Sequence, residues 1–444
     1  MTYPEAIRYL NSLANYEKNI NYSYSETLKL ERIQDFLALI GNPQKFLRVI
    51  HIAGTKGKGS TCALVAYILR EAGFSVGLYT SPHLNDFRER IRILCPLVLR
   101  KRSPAKDFEG MISQGALSSL VKELKPVINK YNRQSKYGAL SFFEVYTAIA
   151  FLYFKREQIN FAVLETGMGG RLDATNAADA LVCGITPLSF EHVQKLGNTL
   201  AKIAAEKAGI IKNKGVIVVS ARQEREAQEV ILRRCKKIQA DLYTVGRQIK
   251  YFKDKNSFWI RGLKNDYKNL RLSLLGEHQL ANAALAVGLV EALSFYGLNL
   301  RVTAIRQGLD HAVWPGRCEV VGRNPLIILD GAQNLASAQV LRKAIRGNFG
   351  YKKLILVLGI SEDKDIAGIC RTLNPLADEI ILTRAATSRA ADPARLARYF
   401  KRKLYLTPGV KEAKLLAKSL AGKKDLILVT GSLFVVGEFR DVGR

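Results

Sequence analysis

Residues 51–73, HIAGTKGKGSTCALVAYILREAG, set a glycine- and lysine-rich turn between two apolar runs, and this order restricts the fold more than any other stretch. Upstream, LRVIHI (47–52) is apolar and rich in β-branched residues, the composition of a buried strand. Downstream, Ala63, Leu64, Tyr67 and Ile68 recur at helical spacing until Gly73. In a strand, glycine turn and helix, the backbone N–H groups of the helix N-terminus face outward and carry partial positive charge, so the stretch predicts an anion-binding loop. Its members are Gly54, Thr55, Lys56, Gly57, Lys58, Gly59, Ser60 and Thr61. The spacing departs from the usual phosphate loop, which has four residues between two glycines and a hydroxyl residue directly after the lysine. Here Gly59 follows Lys58. A glycine-rich turn with an exposed lysine is the plainer alternative.

The same strand composition recurs along the chain. FLRVIHI, SVGLYT (75–80), FAVLET (161–166), ALVCGIT (180–186) and GVIVVS (215–220) form one series; PLIILD (325–330), KLILVLG (353–359), EIILT (379–383) and DLILVT (425–430) form a second. Continuous apolar strands alternating with helical patterns predict parallel sheets covered on both faces. With 444 residues, too many for one core, the expectation is two α/β domains. The turn in HAVWPGRCE (311–319) separates them, giving an N-terminal α/β domain over 1–312 and a smaller C-terminal α/β domain over 313–444.

In open α/β sheets ligands bind beyond the carboxyl ends of the strands. Those ends deliver the glycine loop, then Thr80-Ser81-Pro82-His83, then Glu165 with GMGGRLDATN, then Glu191-His192. A hydroxyl, an acid and an imidazole beside a phosphate loop suit Mg²⁺, which takes oxygen ligands and bridges substrate phosphates. A helix cap, a surface acid and a loop histidine are the corresponding bland readings.

Charge and cysteines bound the function class. The net charge of +29 admits nucleic-acid binding, but the clusters LRKRSPAK (99–106), LRRCKKI (232–238) and FKRKL (400–404) are scattered, and a solvated basic surface that attracts small polyanions is favoured. The six cysteines show no CxxC pair or zinc spacing, which predicts reduced core thiols. With no signal pattern and no run of eighteen apolar residues, a soluble cytoplasmic protein is expected.

Several segments carry a resemblance. LERIQDFLALIGNPQKFLRVIHIAGTKGKGS, TSPHL, FFEVYTAIAFLYF, VLETGMGGRLDATN, EKAGIIK, LLGEHQLANAALAV, WPGR and VTGSLFVVGE together resemble bacterial folylpolyglutamate and dihydrofolate synthases, of the Mur-ligase-like ATP-dependent amide ligases. The resemblance runs from about residue 30 to the C-terminus, and it implies that the domain over 1–312 is a phosphate-loop-type parallel-sheet ATPase domain and the one over 313–444 a smaller Rossmann-like α/β domain. It implies that the γ-phosphate of ATP activates a carboxylate of dihydropteroate or a folate as an acyl phosphate, which the amine of L-glutamate attacks. Lys58 would neutralise charge on the transferred phosphate. Ser81, Glu165 and His192 match magnesium positions, and Lys207 in EKAGI a carbamylated lysine helping to hold a second Mg²⁺. A lysine in the last turn of a helix is also favoured by the helix dipole alone. Asn282, Arg317, Asp330 and Gln333 fall in segments that meet the nucleotide, and the expected enzyme is a monomer with no nucleic-acid or membrane partner.

Three positions depart from the family pattern. GTNGKGS reads GTKGKGS at Lys56, DGAHN reads DGAQN at Gln333, and the magnesium histidine follows Glu191 where the family has Asp. A Mur-type cell-wall ligase and a basic nucleotide-dependent nucleic-acid-binding ATPase are the competing readings; TSPHL and GGRLDATN favour the folate branch over the first.

Overall fold

Strand β1 (Val49–Ala53) is buried at every position, and its neighbours explain why. It lies between β4 (Phe161–Glu165) and β5 (Ala180–Ile185), parallel to both, with Ile50 opposite Val163 on one side and Val182 on the other. The computed structural model describes residues 1–17, 22–96, 108–254 and 257–441, so the basic cluster at 99–106 lies outside the described residues. Within these, β2 (Val76–Tyr79), β3 (Ile91–Leu94), β6 (Ile217–Ser220) and β7 (Asp241–Thr244) complete a sheet of order β3-β2-β4-β1-β5-β6-β7, parallel except for β3. An antiparallel sheet of β8 (Lys250–Lys253), β9 (Phe258–Arg261) and β10 (Asp266–Leu270) follows.

The chain divides into two compact units, one of Met1–His83, Phe87–Leu272 and Leu280–Ala312, the other of Leu84–Asp86, Ser273–Gln279 and Val313–Arg444. The change at Ala312 to Val313 falls in HAVWPGRCE. Two short segments, 84–86 and 273–279, group with the second unit although they lie far upstream of that turn.

Helix Lys58–Glu71 is buried from Ser60 to Arg70, so it presents no polar face. It packs on helix Val302–His311, where a side chain at Gly308 would overlap the Ile68 backbone. Buried Arg70 is neutralised by Glu71 and by Glu109, the latter at 3.0 Å. The long apolar helical stretch His278–Tyr296 is mostly buried, as expected of a core helix. In the second unit β11 (Glu319–Arg323), β12 (Leu326–Leu329), β13 (Leu354–Leu358), β14 (Glu379–Leu382), β15 (Lys403–Leu406) and β16 (Leu426–Thr430) form a sheet of order β11-β12-β16-β13-β14-β15, parallel except for β11. All six cysteines are free thiols, and only Cys95 is exposed.

Candidate active site

The glycine loop is fixed from both sides. Gly54, at φ 149°, passes so close to Thr186 that a side chain there would collide with its hydroxyl. The Thr55 and Lys56 amides both donate to the Pro187 carbonyl at 3.2 Å, and the Thr55 hydroxyl donates to the Ser189 carbonyl. These two amides are thus engaged by the segment after β5. Gly57, at φ 84°, is the N-cap, and the first intrahelical bond runs from the Thr61 amide to the Gly57 carbonyl. The amides of Lys58, Gly59 and Ser60 precede it and have no acceptor within the helix. A side chain on Gly57 would strike the buried amide of Asn282, so Asn282 packs against this turn.

Two lysines and two carboxylates surround the loop. Lys58 Nζ lies 4.0 Å from Glu165 Oε1, with the two side chains only 15% and 7% exposed. The other oxygen of Glu165 accepts the Ser81 amide at 3.2 Å, which ties the ends of β4 and β2 together. Lys56 Nζ donates to Glu191 Oε1 at 2.6 Å. Burial raises the Glu191 pKa, but the ammonium groups of Lys56 and Lys58 outweigh it and hold the carboxyl at about 2.

Lys207 is buried and donates to the Gly54 carbonyl at 2.6 Å. Burial and the nearby Lys58 charge lower its pKa to about 7, against the pull of Glu191 and Asp173. Its helix, Leu200–Ala208, is locked to the glycine-rich segment after β4. The Arg171 amide donates to the Glu206 carbonyl at 2.8 Å, and Asn176 Nδ2 donates to the Gly209 carbonyl. A Cβ on Gly170 would lie 2.8 Å from the Glu206 carbonyl oxygen and 2.9 Å from that of Lys207. GMGGRLDATN and EKAGI therefore form one packed unit that aims Lys207 at the loop.

Asp173 holds that unit together, a role the sequence did not reveal. Its buried carboxylate accepts the Met168 amide, the Thr175 amide and the Thr175 hydroxyl, at 2.9, 3.1 and 2.6 Å. Thr175 in turn meets His51 Nε2 at 2.8 Å, and burial, with Lys212 nearby, keeps this imidazole neutral with a pKa of about 3. The hydroxyls of Thr61, Thr166 and Thr186 are buried around the loop and have no hydrogen-bond partner among the described residues. Nothing in their spacing signals this, because Thr166 and Thr186 follow the ends of parallel β4 and β5 while Thr61 lies in the helix after the loop.

His192 is placed differently from Glu165. It is exposed and, at φ 52°, caps the short helix Val193–Leu196 with its backbone. In the second unit, the Cys318 amide donates to Asp330 Oδ2 and the Ala332 amide to Oδ1, both at 2.9 Å, while the Gly331 amide donates to the Gly316 carbonyl. Asp330 thus binds the WPGR turn to the DGAQN turn. Arg317 lies over Gly331, and the Gln333 amide donates to Ser337 Oγ at 3.1 Å. His278 lies in the field of Asp330 and Arg317, and desolvation by its neighbours lowers its pKa.

Residues 118–290 match the Mur ligase middle domain, and residues 316–433 the Mur ligase, glutamate ligase domain. A dihydrofolate synthase/folylpolyglutamate synthase of Bacillus subtilis (strain 168) is 33% identical over 420 residues, covering 93% of this chain and 94% of its own. The structure of Mycobacterium tuberculosis folylpolyglutamate synthase complexed with ADP has a TM-score of 0.87 at 32% identity, covering 100% of this chain and 98% of that one. Escherichia coli FolC in complex with DHPP and ADP has a TM-score of 0.83 at 29% identity, covering 98% of this chain and 97% of that one. With coverage of that extent and the glycine loop, Glu165 and Lys207 gathered at one sheet edge, the chain belongs to the folylpolyglutamate synthase and dihydrofolate synthase family of Mur ligases.

Proposed function

We propose that this chain joins L-glutamate to dihydropteroate and to folates in an ATP-dependent reaction. One observation carries it: a nearly buried lysine, Lys58, opens a helix whose first amides have no intrahelical acceptor, with Glu165 and Lys207 beside it. Such a site neutralises a phosphate where charge moves. A substrate carboxylate oxygen attacks the γ-phosphorus and the bond to ADP breaks. The glutamate amine then adds to the acyl carbon, loses its proton, and inorganic phosphate leaves. Domains over 1–312 and 313–444 fit this division of labour, with Arg317, Asp330 and Gln333 on the second.

The residues suit Mg²⁺. Among the described residues no three His, Cys, Asp or Glu side chains group together, so no cage of acids and imidazoles forms. One carboxylate, a serine and unpartnered threonine hydroxyls match an ion that keeps several waters. Ser81 and Glu165 would hold one ion, and His192 with a carbamate on Lys207 a second. Bound there, Mg²⁺ supplies charge neutralisation of the phosphates. The low pKa of Lys207 leaves a large neutral fraction near pH 7, the form that reacts with carbon dioxide. The protein is proposed to work as a cytoplasmic monomer on small molecules, without nucleic acid or membrane.

The test is the dependence of ADP release on substrates. ADP should appear only with glutamate and a pteroate or folate both present, and mass spectra should show each acid extended by one glutamate. Extension of one acid alone would make the enzyme monofunctional, and extension of neither would remove the folate reading. Lys207→Ala should be folded and inactive, with activity partly restored by an added short-chain carboxylate.

A further inference from the structure

A cavity of about 330 Å³ opens beyond the carboxyl ends of β6 and β7, lined by Arg222, Gln223, Gln228, Thr244, Gly246 and Arg247. It lies on the same edge of the sheet as the glycine loop, because β1, β5, β6 and β7 are parallel neighbours. Neither Arg222 nor Arg247 has a carboxylate or other side-chain partner among the described residues, unlike Arg70, Arg90 or Arg171 in the same unit. Gln223 is fixed by three bonds: its Nε2 donates to the Thr186 carbonyl and Ser220 Oγ, and its Oε1 accepts the Leu188 amide. Thr186 and Leu188 flank Pro187, whose carbonyl holds the amides of Thr55 and Lys56. One side of the cavity is thus built from the segment that supports the phosphate loop.

We propose that this cavity binds the α-carboxylates of internal residues of the glutamate tail while the terminal γ-carboxylate reacts at the loop. The inference rests on the function proposed above. Neighbouring strands are spaced by about 4.8 Å, which puts β6 roughly 10 Å and β7 roughly 14 Å from β1. A glutamate linked through its side chain adds five backbone atoms, or at most about 6 Å of reach by standard bond lengths. The second or third residue back from the reacting end therefore arrives at the cavity. Each such residue presents one α-carboxylate, and planar guanidinium groups recognise carboxylates in bidentate fashion. Dihydropteroate and a monoglutamate have no internal glutamate residue, and so no α-carboxylate to place there.

The experiment compares kcat/KM for dihydropteroate, a reduced folate monoglutamate and its tetraglutamate, in wild type, Arg222→Ala, Arg247→Ala and the double variant. Both side chains are exposed, so the variants should fold, and thermal melts check it. The expected result is a loss of about three- to tenfold per variant for the tetraglutamate, mainly in KM, with the short substrates within twofold of wild type. Equal losses on all substrates, or no loss on any, would overturn the tail site. A second arm titrates a free penta-γ-glutamate peptide and, separately, inorganic phosphate into the protein without ATP. Peptide binding that is abolished in the double variant supports the site even if wild type extends no folate, in which case only the proposed reaction fails. Binding of phosphate but not peptide at these arginines would overturn the assignment to a tail.

Discussion

Lys56 and Glu191 each depart from the family pattern, and they pair with each other at 2.6 Å. Read separately, one adds a cation to the glycine loop and the other lengthens an acid by a methylene. Together they cancel in charge, and the longer acid meets the longer base. Solvent reaches both side chains, so the pair is worth about 0.5–1 kcal/mol rather than the value its short distance suggests. Glu191→Gln should therefore destabilise the protein by that amount at pH 7. The Glu191 pKa is held below its unfolded value, so the contribution is complete above about pH 4.5 and fades as pH falls toward 2. Urea melts of wild type and variant between pH 7 and 3 check the sign. A constant gap down to pH 3 would mean that packing, not charge, is lost. Lys58 is the opposite case, a single cation proposed to stand at the point of phosphoryl transfer. Lys58→Ala should keep the fold and lose about 3–4 kcal/mol of transition-state stabilisation, roughly 10²–10³ in kcat, read by steady-state kinetics. The strand, turn and helix around Lys58 were legible because they are local. The Lys56 partnership was not, because 135 residues separate the two side chains.

The element that aims Lys207 is assembled from two sequence motifs that touch through missing side chains. Gly170 faces the carbonyls of Glu206 and Lys207, and Gly209 faces Arg171, so neither helix nor turn can retreat without moving Lys207 from the Gly54 carbonyl. Backbone atoms cannot rotate aside as a flexible side chain can. Gly170→Ala should therefore cost about 1–3 kcal/mol in stability, as overpacking does, and should lower kcat more than its stability loss explains. Gly73→Ala is the control for activity, since nothing lies near that site, although its φ of 94° carries its own strain. If both variants keep full kcat, the close approach does not position Lys207. The strands around this element were readable from composition: β1, β2, β4, β5 and β6 are continuous apolar runs because both faces are covered. The strands that went unread are edges or half-exposed. β7, β11 and β15 carry exposed residues at sheet margins, and β8 is exposed throughout, so alternation was weak and no buried run marked them. Asp173 was hidden for another reason. An acid in a polar loop looks solvated, and only the fold reveals that three hydrogen bonds converge on it.

Across the molecule, 68 basic residues against 39 acidic ones leave +29, and no local motif uses that excess up. Two of the three basic clusters seen in the sequence fall in different units, on helix Arg225–Ile238 and at the start of β15. A diffuse positive field acts on a ligand in proportion to the ligand's charge, and mainly on its arrival rather than on its bound contacts. The substrates proposed here differ in that one variable: dihydropteroate has one carboxylate, and each added glutamate contributes one more. At about 0.15 M ionic strength the field decays over roughly 8 Å, and it reaches much farther in dilute buffer. Raising salt from 20 to 200 mM at constant Mg²⁺ and ATP should lower kcat/KM several-fold for a tetraglutamate and much less for dihydropteroate, with kcat nearly unchanged for both. The same series on the Arg222→Ala/Arg247→Ala variant separates the field from the cavity. Long-range attraction keeps most of its salt slope when two cations of 68 are removed, whereas a slope that vanishes with them is local. A salt response equal for all acids would assign the charge to ATP binding alone. Tight, salt-sensitive binding of DNA, with ADP release indifferent to glutamate, would return the molecule to the nucleic-acid-dependent ATPase class that its charge first allowed.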